Sequence, residues 1–359
     1  MPVFAPGHST EVYIPAKKII FKEDSEYMLN VYAHEVHDLP YADSGFINSS
    51  DQFIISRPAV DFKGSSHGKT PVINETDNEV LVTTAKAVVT IDKSTGYLSG
   101  YNYRNNDFIK EPFSPNFWRA ETDNDWRGWK PSVYLELWKT APEYLSTTKA
   151  SVKCSSTDNV AIVTVSKDVY NDKASLQLIY SIYPDGTVKL EYDLRIADDT
   201  PEPLRVGLQG QIDSKYDNVS YFGRGPQENY SDRNDGAFLG IWQHSVQEMM
   251  VQYVYPQENG NRTDVRWMTL TDDDGCGLKI VGCQPLNMSV WNTTQKSLHD
   301  AKHIGEMQLL SDAFVLNIDL IQAGVGGTDS WTPRARPYDK YRLLDKEYSY
   351  AFYLIPINN

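Results

Sequence analysis

The sequence predicts an all-β protein, and three observations carry that expectation. Strand-length segments alternate apolar and polar residues at period two, as in ASLQLIYSIYPDGTVKLEYDLRI from Ala174 to Ile196. Compact turn signals punctuate them at Ser94-Thr95-Gly96, Pro184-Asp185-Gly186 and Asp274-Gly275. No stretch alternates strands with crossover helices, so a barrel of parallel strands carrying catalytic residues at the strand ends is not expected. The length of 359 residues suits one large β domain and a smaller one.

In chain order, EVYIP from Glu11, YMLNVYAHEV from Tyr27 and DQFIISR from Asp51 read as three strands. A full sandwich has about seven, so residues 1–60 are expected to be the rear part of an immunoglobulin-like β-sandwich, and the chain a fragment of something larger. Residues 61–77 contain Pro, Gly and Ser without apolar periodicity and read as a linker. From residue 78 to 359 strands resume. EVLVTTAKAVVTIDKSTGYLSGYNY reads as three, VAIVTVSKDV as one, and MTLTDDDGCGLKIVG as a hairpin, while FVLNIDLIQAGV and YSYAFYLIPI read as closing core strands. Helices are expected only at SVYLELWKTA and TQKSLHDAKHIGEM.

A net charge of −14 argues against a nucleic-acid backbone or an anionic membrane as partner. No apolar run approaches the roughly 20 residues of a membrane span. MPVFAPGHSTEVYIPA lacks the basic start and long apolar stretch of a signal peptide, and the compartment is left open between cytoplasm and periplasm. Cys154, Cys276 and Cys283 are scattered and odd in number, which reads as buried, inert thiols rather than a disulfide framework or a zinc site.

Several stretches invite a chemical reading. Pro-Gln-Glu-Asn occurs twice, placing Glu228 and Glu258 in the same local setting, and two carboxylates are what glycoside hydrolysis uses. Yet Pro and Asn make this turn chemistry, and a Glu there is expected to bond backbone amides or an Arg such as Arg233 or Arg262. DNDWRG from Asp123 fails as a calcium loop, with Arg127 fifth and Tyr134 twelfth. His299 and His303 lie one helical turn apart but lack a third ligand, so no metal site is expected. NFWRAETDNDWRGW sets Trp118, Trp126 and Trp129 among Arg119, Asp123 and Asp125, and GGTDSWTP presents Trp331 in a loop. Such aromatics beside polar groups suit sugar recognition, or pack against their own domain.

Taken in order, NFWRAETDND, GRGPQENYSDR, VYPQENGNRTDVRW, LNIDLIQAGVGGTDSWTP and YSYAFYLIP resemble the C-terminal small-chain region of bacterial β-galactosidases of glycoside hydrolase family 2. The resemblance runs from about Asn78 to Pro356, and FAPGHSTEVYIP with EYMLNVYAHEVHDLPYADSGF is similar to the rear of the immunoglobulin-like domain before it. It implies that residues 78–359 form a large antiparallel supersandwich of the galactose-mutarotase kind. It also implies retaining hydrolysis of β-D-galactosides by two Glu residues on a barrel domain that this chain lacks, so that Glu228 and Glu258 are not catalytic and the chain alone is inactive. Trp331 matches a family Trp that forms an aromatic platform for β-galactoside or galactose. Trp126, Arg127, Gly128 and Trp129 fall on an active-site loop, here shorter than the usual form. Magnesium and sodium are implied on the barrel domain and none in this chain. The implied partner is that catalytic barrel portion, in cis or as a large subunit, in an oligomer when whole. The other expectation kept open is a stand-alone carbohydrate-binding module or a mutarotase-like aldose epimerase, with His244 as its only central His.

Overall fold

The computed structural model describes residues 7–13, 20–23, 25–56, 62 and 64–358. The chain forms two compact units, Met1–Asp61 and Phe62–Asn359.

In the first unit Tyr27–His34 and Ile47–Ser56 pair antiparallel, Leu29 opposite Phe53 and Val31 opposite Asp51. The connection closes where the Glu35 amide donates to the Phe46 carbonyl and the Gly45 amide donates back to Glu35. Gly45 has φ +93°, a conformation that glycine adopts freely. Leu29, Val31 and Phe53 share one face and are all exposed, because two strands alone cannot cover an apolar surface. The first of the three expected strands is corrected in part: Glu11–Tyr13 form none. Ile14, Pro15 and Arg57 lie outside the described residues.

The second unit is built almost wholly of antiparallel strands. One continuous ladder runs in the order Ile109–Asn116, Arg205–Asp213, Ala313–Gln322, Gly277–Trp291, Arg262–Thr271, Asn218–Gly225, Phe238–Ser245. A second runs Ser151–Thr157, Val160–Val169, Ala174–Ile182, Val188–Ile196, Glu347–Ile357 and ends on Gly277–Trp291. Gly277–Trp291 therefore belongs to both. Its first half pairs with Glu347–Ile357 and its last residues with Ala313–Gln322. The handover falls at Pro285, which has no amide to donate. A third group, Val72–Glu75, Glu79–Thr83, Ala87–Asp92 and Leu98–Tyr103, joins the first ladder through Leu98 opposite Phe113. Val72–Glu75 thus lies in the stretch read as a linker.

Alternation places Val163, Val165, Leu176, Leu178, Leu190, Leu194, Leu208 and Ile318 in a common core. Two of the buried tyrosines donate to backbone carbonyls, Tyr101 to Gly186 at 2.6 Å and Tyr350 to Ile318 at 2.9 Å. The first expected helix is two, Pro131–Tyr134 and Glu136–Thr147, the latter burying Trp138, Ala141 and Leu145. The second is the shorter Gln295–Asp300 followed by a 3-10 turn, Ile304–Glu306. The thiol reading needs correction at Cys283, which is exposed, while Cys154 and Cys276 are half-buried.

Candidate functional site

Asp125 organises the first aromatic stretch. Its two oxygens accept Arg119 Nη2 and Nε at 3.0 and 3.1 Å, Trp129 Nε1 at 2.9 Å, and the Thr122 amide at 3.0 Å. Both members of the Arg119–Asp125 pair are fully buried, and Arg119 also donates to the Ala323 carbonyl at 2.7 Å. A bidentate guanidinium–carboxylate pair of this kind fixes orientation as well as position. It holds the π-helical turn Asn124–Trp129. Trp118 and Trp129 are consequently interior residues. Trp126 alone of the three reaches the surface, stacked on Tyr255 at 5.6 Å, with the Arg127 guanidinium 4.6 Å from its ring centre.

The Trp331 loop is fixed at two places. Asp329 accepts the Trp331 and Thr332 amides and the Thr332 hydroxyl, bonds that hold its carboxyl below the usual range. Thr332 in turn caps the short turn Pro333–Ala335. Nearer the strand, Asp232 Oδ2 accepts the consecutive amides of Val325 and Gly326 at 2.8 and 2.9 Å. Asn124 Nδ2 donates to the Val325 carbonyl at 3.1 Å. Trp331 itself is 73 % exposed, an indole held out from a braced loop.

The two aromatic segments meet. A Cβ on Gly128 would overlap the Ala335 Cβ and stand 2.9 Å from the Thr332 carbonyl oxygen. Glycine is required because backbone passes against backbone. Gly128 therefore brings its turn directly against the loop that carries Trp331, while Trp129 is an inward anchor with the Arg336 guanidinium 5.1 Å from its ring centre.

The repeated Pro-Gln-Glu-Asn motif is a repeated turn. Asn229 Nδ2 donates to the Gln227 carbonyl at 3.0 Å and Asn259 Nδ2 to Gln257 at 2.9 Å. Glu228 accepts the Gly260 amide at 2.6 Å, Arg233 and the Tyr253 hydroxyl. Glu258 pairs with Arg205 at 2.9 Å, not with the neighbouring Arg262. Arg205 also faces Asp319 at 3.3 Å, and all three side chains are fully buried. Burial raises Glu258, against the pull of Arg205 and Arg119. Burial likewise pushes Asp319 up to about 7, Arg205 opposing and Glu258 adding to the rise. One guanidinium thus balances two carboxylates in a low-dielectric interior.

A cavity of about 430 Å³ opens between these elements, lined by Asn124, Tyr230, Asp232, Glu258 and the Gly326–Gly327 backbone among others. Sequence reasoning missed Asp232, Arg205 and Asp319. The signal for the last two was a charge set inside an apolar strand pattern, Arg205 opening RVGLQGQID and Asp319 within VLNIDLI. His244 stacks near Tyr221, its Nε2 has no partner among the described residues, and burial lowers its affinity for a proton.

A family model described as the β-galactosidase small chain matches residues 83–354. The curated relatives include a β-galactosidase of Priestia megaterium, 32 % identical over 93 % of this chain and 32 % of its own length. Another, from Lactococcus lactis subsp. lactis, is 30 % identical over 90 % of this chain and 33 % of its own length. The chain spans about a third of the length of the curated relatives it matches. Among solved structures, galactose 1-epimerase from Lactobacillus acidophilus NCFM is similar with a TM-score of 0.46 and 8 % identity, covering 80 % of this chain and 98 % of that one. On the match to residues 83–354, the chain belongs to the β-galactosidase small-chain family.

Proposed function

We propose that this chain serves as the C-terminal part of a β-galactosidase that removes terminal β-D-galactose with retention of configuration. In this reading the two catalytic carboxylates stand on a barrel portion outside this chain. Trp331 supplies an aromatic platform for the substrate, and the Trp126–Gly128 surface supplies part of the pocket wall. The observation that supports the reading is the placement of Trp331: a large indole, 73 % exposed, on a loop braced by Asp329 and Asp232. An exposed aromatic on a rigid support loses little conformational freedom when a ring stacks on it, and such stacking contributes about 0.5–1.5 kcal/mol beyond burial. Glu228 is held by Arg233 and the Gly260 amide, and Glu258 by the buried Arg205, which gives both structural work.

The purified chain is expected to leave a chromogenic β-galactoside intact. Assembled with the barrel portion, Trp331→Ala should raise KM about 2- to 13-fold, the equivalent of that stacking term, with the melting temperature unchanged. Hydrolysis by the chain alone would defeat the reading and return Glu228 and Glu258 as the first residues to replace.

A further inference from the structure

His299 stands on the helix Gln295–Asp300, and groups from two other parts of the chain converge on its half-buried ring. Lys139, on the helix Glu136–Thr147, donates from Nζ to His299 Nε2 at 3.2 Å. The Glu121 amide faces Nδ1 at 3.5 Å. Glu121 Oε2 stands 3.9 Å from the same Nε2 that accepts Lys139. His303 pairs elsewhere, with Glu306 at 3.1 Å, so the two histidines of this stretch have different partners.

The ring is placed between two incompatible partners. A neutral imidazole has one lone pair and one N–H, so Nε2 accepts from Lys139 only while it carries no proton. Nδ1 then holds the hydrogen and turns it towards the Glu121 amide, itself a donor. Protonation removes the remaining lone pair. Lys139 loses its acceptor, and the new Nε2–H has the Glu121 carboxylate 3.9 Å away. One proton therefore exchanges one partner for the other. Burial and the Lys139 charge hold the ring below its ordinary value of 6.5, with Glu121 and Asp300 pulling upwards and Lys296 downwards.

The exchange reaches the aromatic turn. Glu121 is 8 % exposed, and its other oxygen, Oε1, accepts the Ser132 amide at 3.1 Å. Glu121 precedes the turn Asn124–Trp129 and Ser132 follows it, so this carboxylate closes the base of the turn. Beside these residues in sequence, Ala120 and Leu298 pack with Trp291 and Val315 in a small buried cluster. We infer that His299 is a proton-operated latch that exchanges Lys139 for the Glu121 carboxylate as the pH falls. In the neutral state it ties the helix Glu136–Thr147 to Gln295–Asp300 through Lys139. In the charged state it releases Lys139, draws Glu121 towards itself and resets the segment that frames Asn124–Trp129. The latch stands on these contacts alone, whatever the chain binds or hydrolyses.

The experiment is an NMR titration of the whole chain from pH 8 to pH 4, with nitrogen-labelled histidine and methyl-labelled alanine and leucine. His299→Gln assigns the ring signals. At pH 8 the His299 nitrogens should report the Nδ1–H tautomer, and the ring should titrate with a midpoint below 6.5. The methyl resonances of Ala120 and Leu298 should move with that same midpoint and stay still in His299→Gln. Lys139→Met should raise the midpoint and Glu121→Gln should lower it, each by about 1 pH unit, as expected for a charge within roughly 4–6 Å. If Glu121→Gln does not fold, the Lys139→Met midpoint and the methyl response decide. A midpoint that Lys139→Met leaves unchanged, or methyl resonances that ignore the ring, would overturn the latch. So would the Nε2–H tautomer at pH 8, or a midpoint at or above 6.5.

Discussion

Gly128 and Ala335 lie back to back, with no room between them for a side chain on Gly128. This single approach couples the Trp126–Trp129 turn to the loop that carries Trp331. Gly128→Ala should force the two apart and cost about 1–3 kcal/mol, the range for inserting atoms into a packed site. Ala335→Gly should recover part of that loss in the double variant, since residues in contact do not act additively. Urea denaturation of the four proteins checks this, and strict additivity would show that the clash is not the cause.

Trp129 and Trp331 should behave oppositely. Trp129 is buried, with its indole N–H on Asp125, so Trp129→Ala should cost about 3–5 kcal/mol. Trp331 is mostly exposed, and Trp331→Ala should stay within about 0.5 kcal/mol of the parent. Equal melting temperatures of the two variants would contradict the division into anchor and platform.

Asp232→Ala should free the Val325 and Gly326 amides, leaving two backbone donors without the acceptor they now share. The expected loss is about 1–3 kcal/mol of local stability. Hydrogen exchange at Val325 and Gly326 should accelerate well before global unfolding. Unchanged protection there would remove Asp232 from its bracing role.

How far the sequence could foretell this follows from the physics of each part. Strand alternation and turn dipeptides are local, so the β architecture and the hairpin at Pro184-Asp185-Gly186 were legible. The PQEN turns were legible as well, because Asn closes each one within two residues. What was hidden depends on distant pairing. Arg205, Glu258 and Asp319 are brought together only by the ladder of Arg205–Asp213 on Ala313–Gln322 and the loop before Arg262. Trp118, Trp126 and Trp129 share one composition, and only the fold decides that two turn inward. Val72–Glu75 lacked periodicity because four residues are too few to display any.

The buried triad gives stability a definite pH dependence. Asp319 is raised from 3.8 to about 7, chiefly by burial, so the folded chain binds its proton more tightly than the unfolded chain does. Its contribution is then fully present below about pH 4 and is lost as pH rises towards 7. The raised Glu258 acts in the same sense. Asp319→Asn removes the titration, so its stability relative to the parent should improve between pH 5 and pH 8. Parallel urea-unfolding curves for the two proteins across that window would refute this. Arg205→Met removes the shared cation and leaves two carboxylates buried without compensation. Breaking such a pair costs about 3–5 kcal/mol, and the loss should be larger at pH 8, where both acids are driven to ionise, than at pH 5. A loss independent of pH would mean that Arg205 acts through packing against Trp291, whose ring centre lies 5.7 Å from its guanidinium, rather than through charge.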